Sequence, residues 1–121
     1  MSKVTMNNAA ALRAQKCRPD VTALKAEEIA ERLPAIPGWT VQDGKIVRQF
    51  SFKNYYDTLA FVNAIAYVIH AEDHHPELLV TYNLCVVKYH THSVNKGQGG
   101  LSDNDFVCAA KLDAIFEQSF A

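Results

Sequence analysis

Residues 70–92 read HAEDHHPELLVTYNLCVVKYHTH, and all five histidines of the chain lie within them. The stretch also holds the change from a helical to an extended pattern. A proline pushes the residue before it out of the α region, so Pro76 sets His75 extended and makes His74 the expected last residue of a helix. Beyond it, Leu78 to Tyr82 and Leu84 to His92 are short and rich in β-formers, joined tightly around Asn83, which predicts an antiparallel hairpin. Side chains alternate across a strand. Cys85, Val87, Tyr89 and Thr91 therefore share one face, and Leu84, Val86, Lys88, His90 and His92 the other.

Working upstream, residues 54–73 carry Leu59, Phe61, Val62, Ile65, Ala66, Val68 and Ile69 at helical spacing, which predicts one broad apolar face. Tyr56, Asn63, Tyr67, His70 and His74 form a second, polar-tipped stripe, the kind that most often faces solvent. Asp43-Gly44 between Trp39–Gln42 and Lys45–Phe50 is the strongest short hairpin signal in the chain. Leu24 to Leu33 reads as a short amphipathic helix stopped by Pro34. Downstream, SVNKGQGG at 93–100 lacks the GxxxxGK[ST] spacing of a phosphate loop and reads as a plain turn. Ser102 then caps a last helix running to near Gln118, with Asp105 at its third position and Leu101 against Phe106 as a staple. The order helix, hairpin, long helix, hairpin, helix predicts an α+β fold: a single antiparallel four-stranded sheet with helices packed on one face. One domain over residues 21–121 follows, preceded by a flexible N-terminal tail over residues 1–20.

The bulk composition narrows the function classes. A chain of 121 residues is the size of one domain and buries roughly two thirds of the surface its unfolded form exposes. Its net charge of -1 and scattered basic residues argue against direct nucleic-acid binding. No apolar run approaches the roughly 20 residues that span a bilayer, so no membrane association is expected. Cys17, Cys85 and Cys108 are odd in number and far apart, without a CxxC pair, which suits reduced thiols and a cytoplasmic location.

Three readings of the histidines compete. They are helix-terminal and surface polar groups; or they bind metal, with His70 and His74 at i,i+4 and His90 and His92 on one strand face, although no HExxH is present; or they perform acid-base chemistry, since imidazole gives and takes protons near neutral pH. Asp105 is read from its neighbours as the carboxylate of the capping box.

His74-His75-Pro76, then five residues to Tyr82, nine more to His92, and Asp105 shortly after, form a multi-point pattern. Together with Pro-Gly-Trp at 37–39, Thr91-His92 and GGLSDND at 99–105, it resembles the signature of the pterin-4a-carbinolamine dehydratases over about residues 24–118. The resemblance implies dehydration of 4a-hydroxytetrahydropterin to quinonoid dihydropterin and water. It also implies pterin recycling coupled to an aromatic amino acid hydroxylase, with no metal and no organic cofactor. Carried over by position, His74, His75 and His92 become active-site histidines and Asp105 their acidic partner. His74 and His92 are assigned the proton transfers and His75 the placing of the pterin, with an exchange of roles left open. His70, Asp73, His90 and Thr91 are expected to contact the substrate. His70 stands where the family often has Glu, and Leu78 where a Trp can lie beside the pterin. Similar proteins assemble, so a homodimer or homotetramer is expected. A binding or regulatory module is the alternative of another class, and a metal-dependent hydrolase a distant third.

Overall fold

Asp43 and Gly44 both adopt positive φ, 51° and 76°. Two such residues give a turn whose twist matches that of the strands it joins, and the pair closes the first hairpin. In the computed structural model, which describes residues 7–121, this hairpin is β1 (Thr40–Gln42) and β2 (Lys45–Ser51), and the second is β3 (Glu77–Val80) and β4 (Leu84–Tyr89). The helices are α1 (Ala9–Arg13), α2 (Ala26–Arg32), α3 (Tyr55–Glu72) and α4 (Asp103–Ser119), with short 3-10 turns at Leu33–Ala35 and Asn95–Gly97.

The strands make one antiparallel sheet in the order β1-β2-β4-β3. Ile46 lies opposite Tyr89, Arg48 opposite Val87 and Phe50 opposite Cys85, so these six side chains share a face. Ile46, Phe50, Cys85, Val87 and Tyr89 are buried on it, packed in one core with Phe61 and Ile65 of α3 and with Phe106 to Ala110 and Leu112 of α4. The chain is thus α+β, with its helices on one face of a four-stranded sheet. Phe50, Phe61 and Phe116 meet at ring separations of 4.7–6.0 Å, contacts worth roughly 0.5–1.5 kcal/mol each beyond simple burial.

Two expectations for α3 need correction. Its buried stripe is narrower than the sequence pattern suggests: Thr58, Phe61 and Ile65 are buried, whereas Leu59 and Ala66 are exposed, because only one flank of the helix meets its neighbours. The helix also stops at Glu72, before His74. Asp73 takes the left-handed conformation, φ 50° and ψ 45°, and the N–H groups of Asp73 and His74 close back onto the carbonyls of His70 and Ile69, an αL helix ending. The reversal removes His74 from the solvent stripe and turns its ring inward.

The frayed tail expected over residues 1–20 also differs. Residues 1–6 lie outside the described residues, but α1 docks on α4: Leu12 is fully buried and the Arg13 Nε–H donates to the Ala110 carbonyl at 3.2 Å.

The Pro-Gly-Trp stretch ties the first hairpin to α4. The Trp39 indole N–H donates to Asp113 Oδ1 at 2.8 Å, and Arg48 donates to the same oxygen at 2.7 Å. Gly38 makes this possible, since a Cβ there would stand 2.7 Å from the Arg48 Nε. Burial pushes the Asp113 carboxyl up, against the opposing pull of Trp39 and Arg48. Among the described residues no helix is long and apolar enough to cross a membrane.

Candidate active site

The capping box at the start of α4 forms as its residues predict. The Ser102 hydroxyl accepts from the Asn104 N–H at 3.2 Å, and the Asp105 carboxylate reaches back to the Ser102 N–H at 2.9 Å. That contact uses only Oδ2. The other oxygen, Oδ1, lies 2.6 Å from His74 Nε2, so one carboxylate contacts both the helix N-terminus and an imidazole. Asp105 is fully buried, where each lone pair needs a donor.

A hydroxyl relay completes the support. Thr91 Oγ1 donates to Asp105 Oδ2 at 2.9 Å and lies 2.7 Å from Ser102 Oγ. Thr91 has a single hydroxyl proton and it points at Asp105, so Ser102 must donate to Thr91. With Oδ2 receiving two donors and Oδ1 facing the ring, the network assigns the proton of His74 to Nε2 and leaves Nδ1 as the nitrogen it can offer elsewhere.

The strand beneath fixes the ring in two further ways. Tyr89 stacks on His74 with ring centroids 5.1 Å apart and an interplanar angle of 19°. Its hydroxyl also donates to the His74 carbonyl at 3.2 Å. Burial first, and then the neighbouring Cys108 thiol, raise the Tyr89 phenol, which keeps it a donor. Ring face, ring edge and backbone of His74 are each held, and the side chain is 11% exposed.

The other predicted residues are placed differently. Thr91, expected against the substrate, is buried with its hydroxyl engaged, so it supports Asp105 instead. His75 is exposed, with Nε2 3.4 Å from Oδ1 of the still more exposed Asp73. His92 directly follows Thr91 and its ring is in solvent. His90, on the other side of Thr91, is half-buried against Gly99, whose added Cβ would stand 3.4 Å from the ring. His70 is exposed on α3. The structure therefore joins His74, Asp105 and Thr91 by direct bonds, whereas His75 and His92 adjoin His74 and Thr91 in the chain without bonding to the pair, as do His70, Asp73 and His90 at other positions. Among the described residues no three His, Cys, Asp or Glu side chains are grouped to hold a metal ion.

Two supporting residues escaped the sequence reading of the site. Tyr89 was placed on the Thr91 face by alternation, which is the signal that pointed to it. Ser102 was read as a helix cap alone.

The sequence profile of the family described as Pterin 4 alpha carbinolamine dehydratase matches residues 22–115. A provisionally named pterin-4-alpha-carbinolamine dehydratase from Bdellovibrio bacteriovorus is 57% identical over 107 residues, covering 88% of this chain and 89% of the relative. Another, from Nitrosomonas europaea, is 51% identical over 116 residues, covering 93% and 99%. A crystal structure described as a transcriptional coactivator/pterin dehydratase from Brucella melitensis superposes with a TM-score of 0.71 at 33% identity, over 78% of this chain and 98% of that one. The matched span contains the sheet, α3, the His74–Asp105 pair and most of α4, and the chain belongs to the pterin-4-alpha-carbinolamine dehydratase family.

Proposed function

We propose that the chain dehydrates 4a-hydroxytetrahydropterins to quinonoid dihydropterins by histidine acid-base catalysis. The observation that carries this reading is the buried carboxylate of Asp105, bonded at 2.6 Å to a His74 ring whose remaining nitrogen has no protein partner among the described residues. The reaction breaks the C4a–O bond and the N5–H bond and forms a C4a=N5 double bond. A proton goes to the departing hydroxyl, which leaves as water, and another leaves N5, so the sum needs no oxidant or reductant.

His74 Nδ1 takes the N5 proton, and the Asp105 carboxylate offsets the positive charge that develops on the ring. His92, one residue beyond Thr91 and open to solvent, delivers the proton to the leaving oxygen and is reloaded from water. His75, also exposed, places the heterocycle. Each proton-transfer group contributes roughly 10²–10⁴-fold. The product enters pterin recycling for an aromatic amino acid hydroxylase in the cytoplasm. The protein acts as a homodimer or homotetramer, a reading supported by the exposed Tyr56, Leu59 and Tyr67 on α3 and by the edge strand β3.

The decisive experiment supplies enzymatically generated 4a-hydroxytetrahydropterin and follows quinonoid product by absorbance. Faster dehydration with the protein than without it is expected, and an unchanged rate would overturn the proposal. Full turnover in a His92→Ala variant would remove His92 from the acid role while leaving the reaction class standing.

A further inference from the structure

We propose that residues 9–18 are a positioning strap that sets the His74–Asp105 pair, with Glu72 and Asn104 as its two anchor points. This rests on the reading of that pair as the proton-transfer site. His74 follows the end of α3, and Asp105 sits in the first turn of α4, so their bond depends on how these two helix ends are held together.

The strap grips both. The Cys17 N–H donates to Glu72 Oε1 at 2.8 Å, two residues before His74. The Arg18 N–H donates to Asn104 Oδ1 at 3.0 Å, and Asn104 Nδ2 donates back to the Arg18 carbonyl at 2.8 Å, one residue before Asp105. Consecutive backbone groups of one segment thus hold a side chain from each helix end. Cys17 Sγ fills the space between them, 3.6 Å from the Asn104 carbonyl and 3.4 Å from Cys108 Sγ. Leu12 and Arg13 seat the segment further along α4.

Both anchors are built to be occupied. Asn104 is 7% exposed and has both ends of its amide engaged by Arg18. The Glu72 side chain is 6% exposed, and Lys111 of α4 binds its second oxygen at 3.2 Å. Burial works against the Glu72 carboxylate, but the Cys17 N–H and Lys111 outweigh it and hold the group below the usual carboxylate range. Residues 9–18 precede the span 22–115 matched by the family profile. The strap reaches the site through its backbone groups rather than through a side-chain motif of its own.

The test uses full-length protein. Asn104 occupies the second position of α4, where an added acid favours the helix, so Asn104→Asp spares α4 while losing the donor to Arg18 and turning a carboxylate on its carbonyl. Glu72→Leu releases the strap from the other side. Both are checked for folding by circular dichroism, and the second serves if the first does not fold. The expected result is a kcat lower by about tenfold, less than the roughly hundredfold that a 1 Å misplacement brings, at a KM unchanged within about twofold. The downfield proton resonance of the His74–Asp105 hydrogen bond should broaden or vanish in parallel. A folded variant with wild-type kcat and an intact resonance would overturn the strap, even if its melting temperature fell. Should the wild-type protein itself show no dehydratase activity, the functional proposal fails, and the resonance alone decides the strap.

Discussion

Asp105 and Asp113 lie eight residues apart on α4, both buried, yet they have opposite kinds of partner. Asp113 holds Arg48 and the Trp39 indole. Arginine keeps its charge at every pH a protein survives, so this pair has one state and acts as a fixture between sheet and helix. Asp105 holds a histidine and two groups that never titrate near neutrality, a hydroxyl and a backbone N–H. Its partner can gain or lose a proton. Two positions on one helix show how a fold turns the same buried carboxylate to structure or to chemistry through the residue set opposite it.

The sharpest way to break this comparison is to remove each carboxylate in turn. Asp105→Ala should lower kcat by about a thousandfold in the pterin assay, since both the orienting bond and the charge balance of His74 are lost. Asp113→Ala should leave kcat per folded molecule within about twofold, while urea denaturation shows a loss of about 3–5 kcal/mol, because Arg48 remains largely buried without its partner. Reversed outcomes would exchange the structural and chemical roles of the two carboxylates.

A smaller perturbation reaches Asp113 indirectly. In Gly38→Ala the new methyl group collides with Arg48 and forces it to move, with an expected cost of about 1–3 kcal/mol by thermal unfolding and no change in kcat. The smallest effect concerns Glu72, whose carboxyl lies below the ordinary value of 4.5. A lowered carboxyl stabilises the fold above its unfolded value, and the contribution is lost as pH falls through the folded one. Acid titration of the unfolding free energy should therefore show a flatter limb below pH 4.5 in Glu72→Gln than in the wild-type chain.

Features governed by local chemistry were legible in the sequence. The turn at Asp43-Gly44, the Ser102–Asp105 capping box and the alternation of Tyr89 and Thr91 on β4 each follow from neighbouring residues. Pro76 limits how far α3 can run and so points to an end at His74, two residues too late; the actual stop is a left-handed Asp73 three residues before the proline, a conformation glycine would have advertised. The strap was invisible for another reason. Its key bonds use the N–H of Cys17 and of Arg18, groups that nearly every residue carries. The link from Trp39 and Arg48 to Asp113 joins positions 65–74 residues apart, a distance over which sequence pattern carries no pairing information.

The alternation along β4 has a genetic corollary. Tyr89 and Thr91 point toward α4 only because the β3–β4 connection, residues 81–83, holds the strand in its present pairing. A one-codon insertion or deletion in that connection that slid β4 by a single step would exchange the two sides, carrying His90 and His92 inward and the supports of the His74–Asp105 pair out. Loop length at this turn is consequently under the same constraint as the histidines themselves, and tolerance of indels should be low in a short connection that looks dispensable.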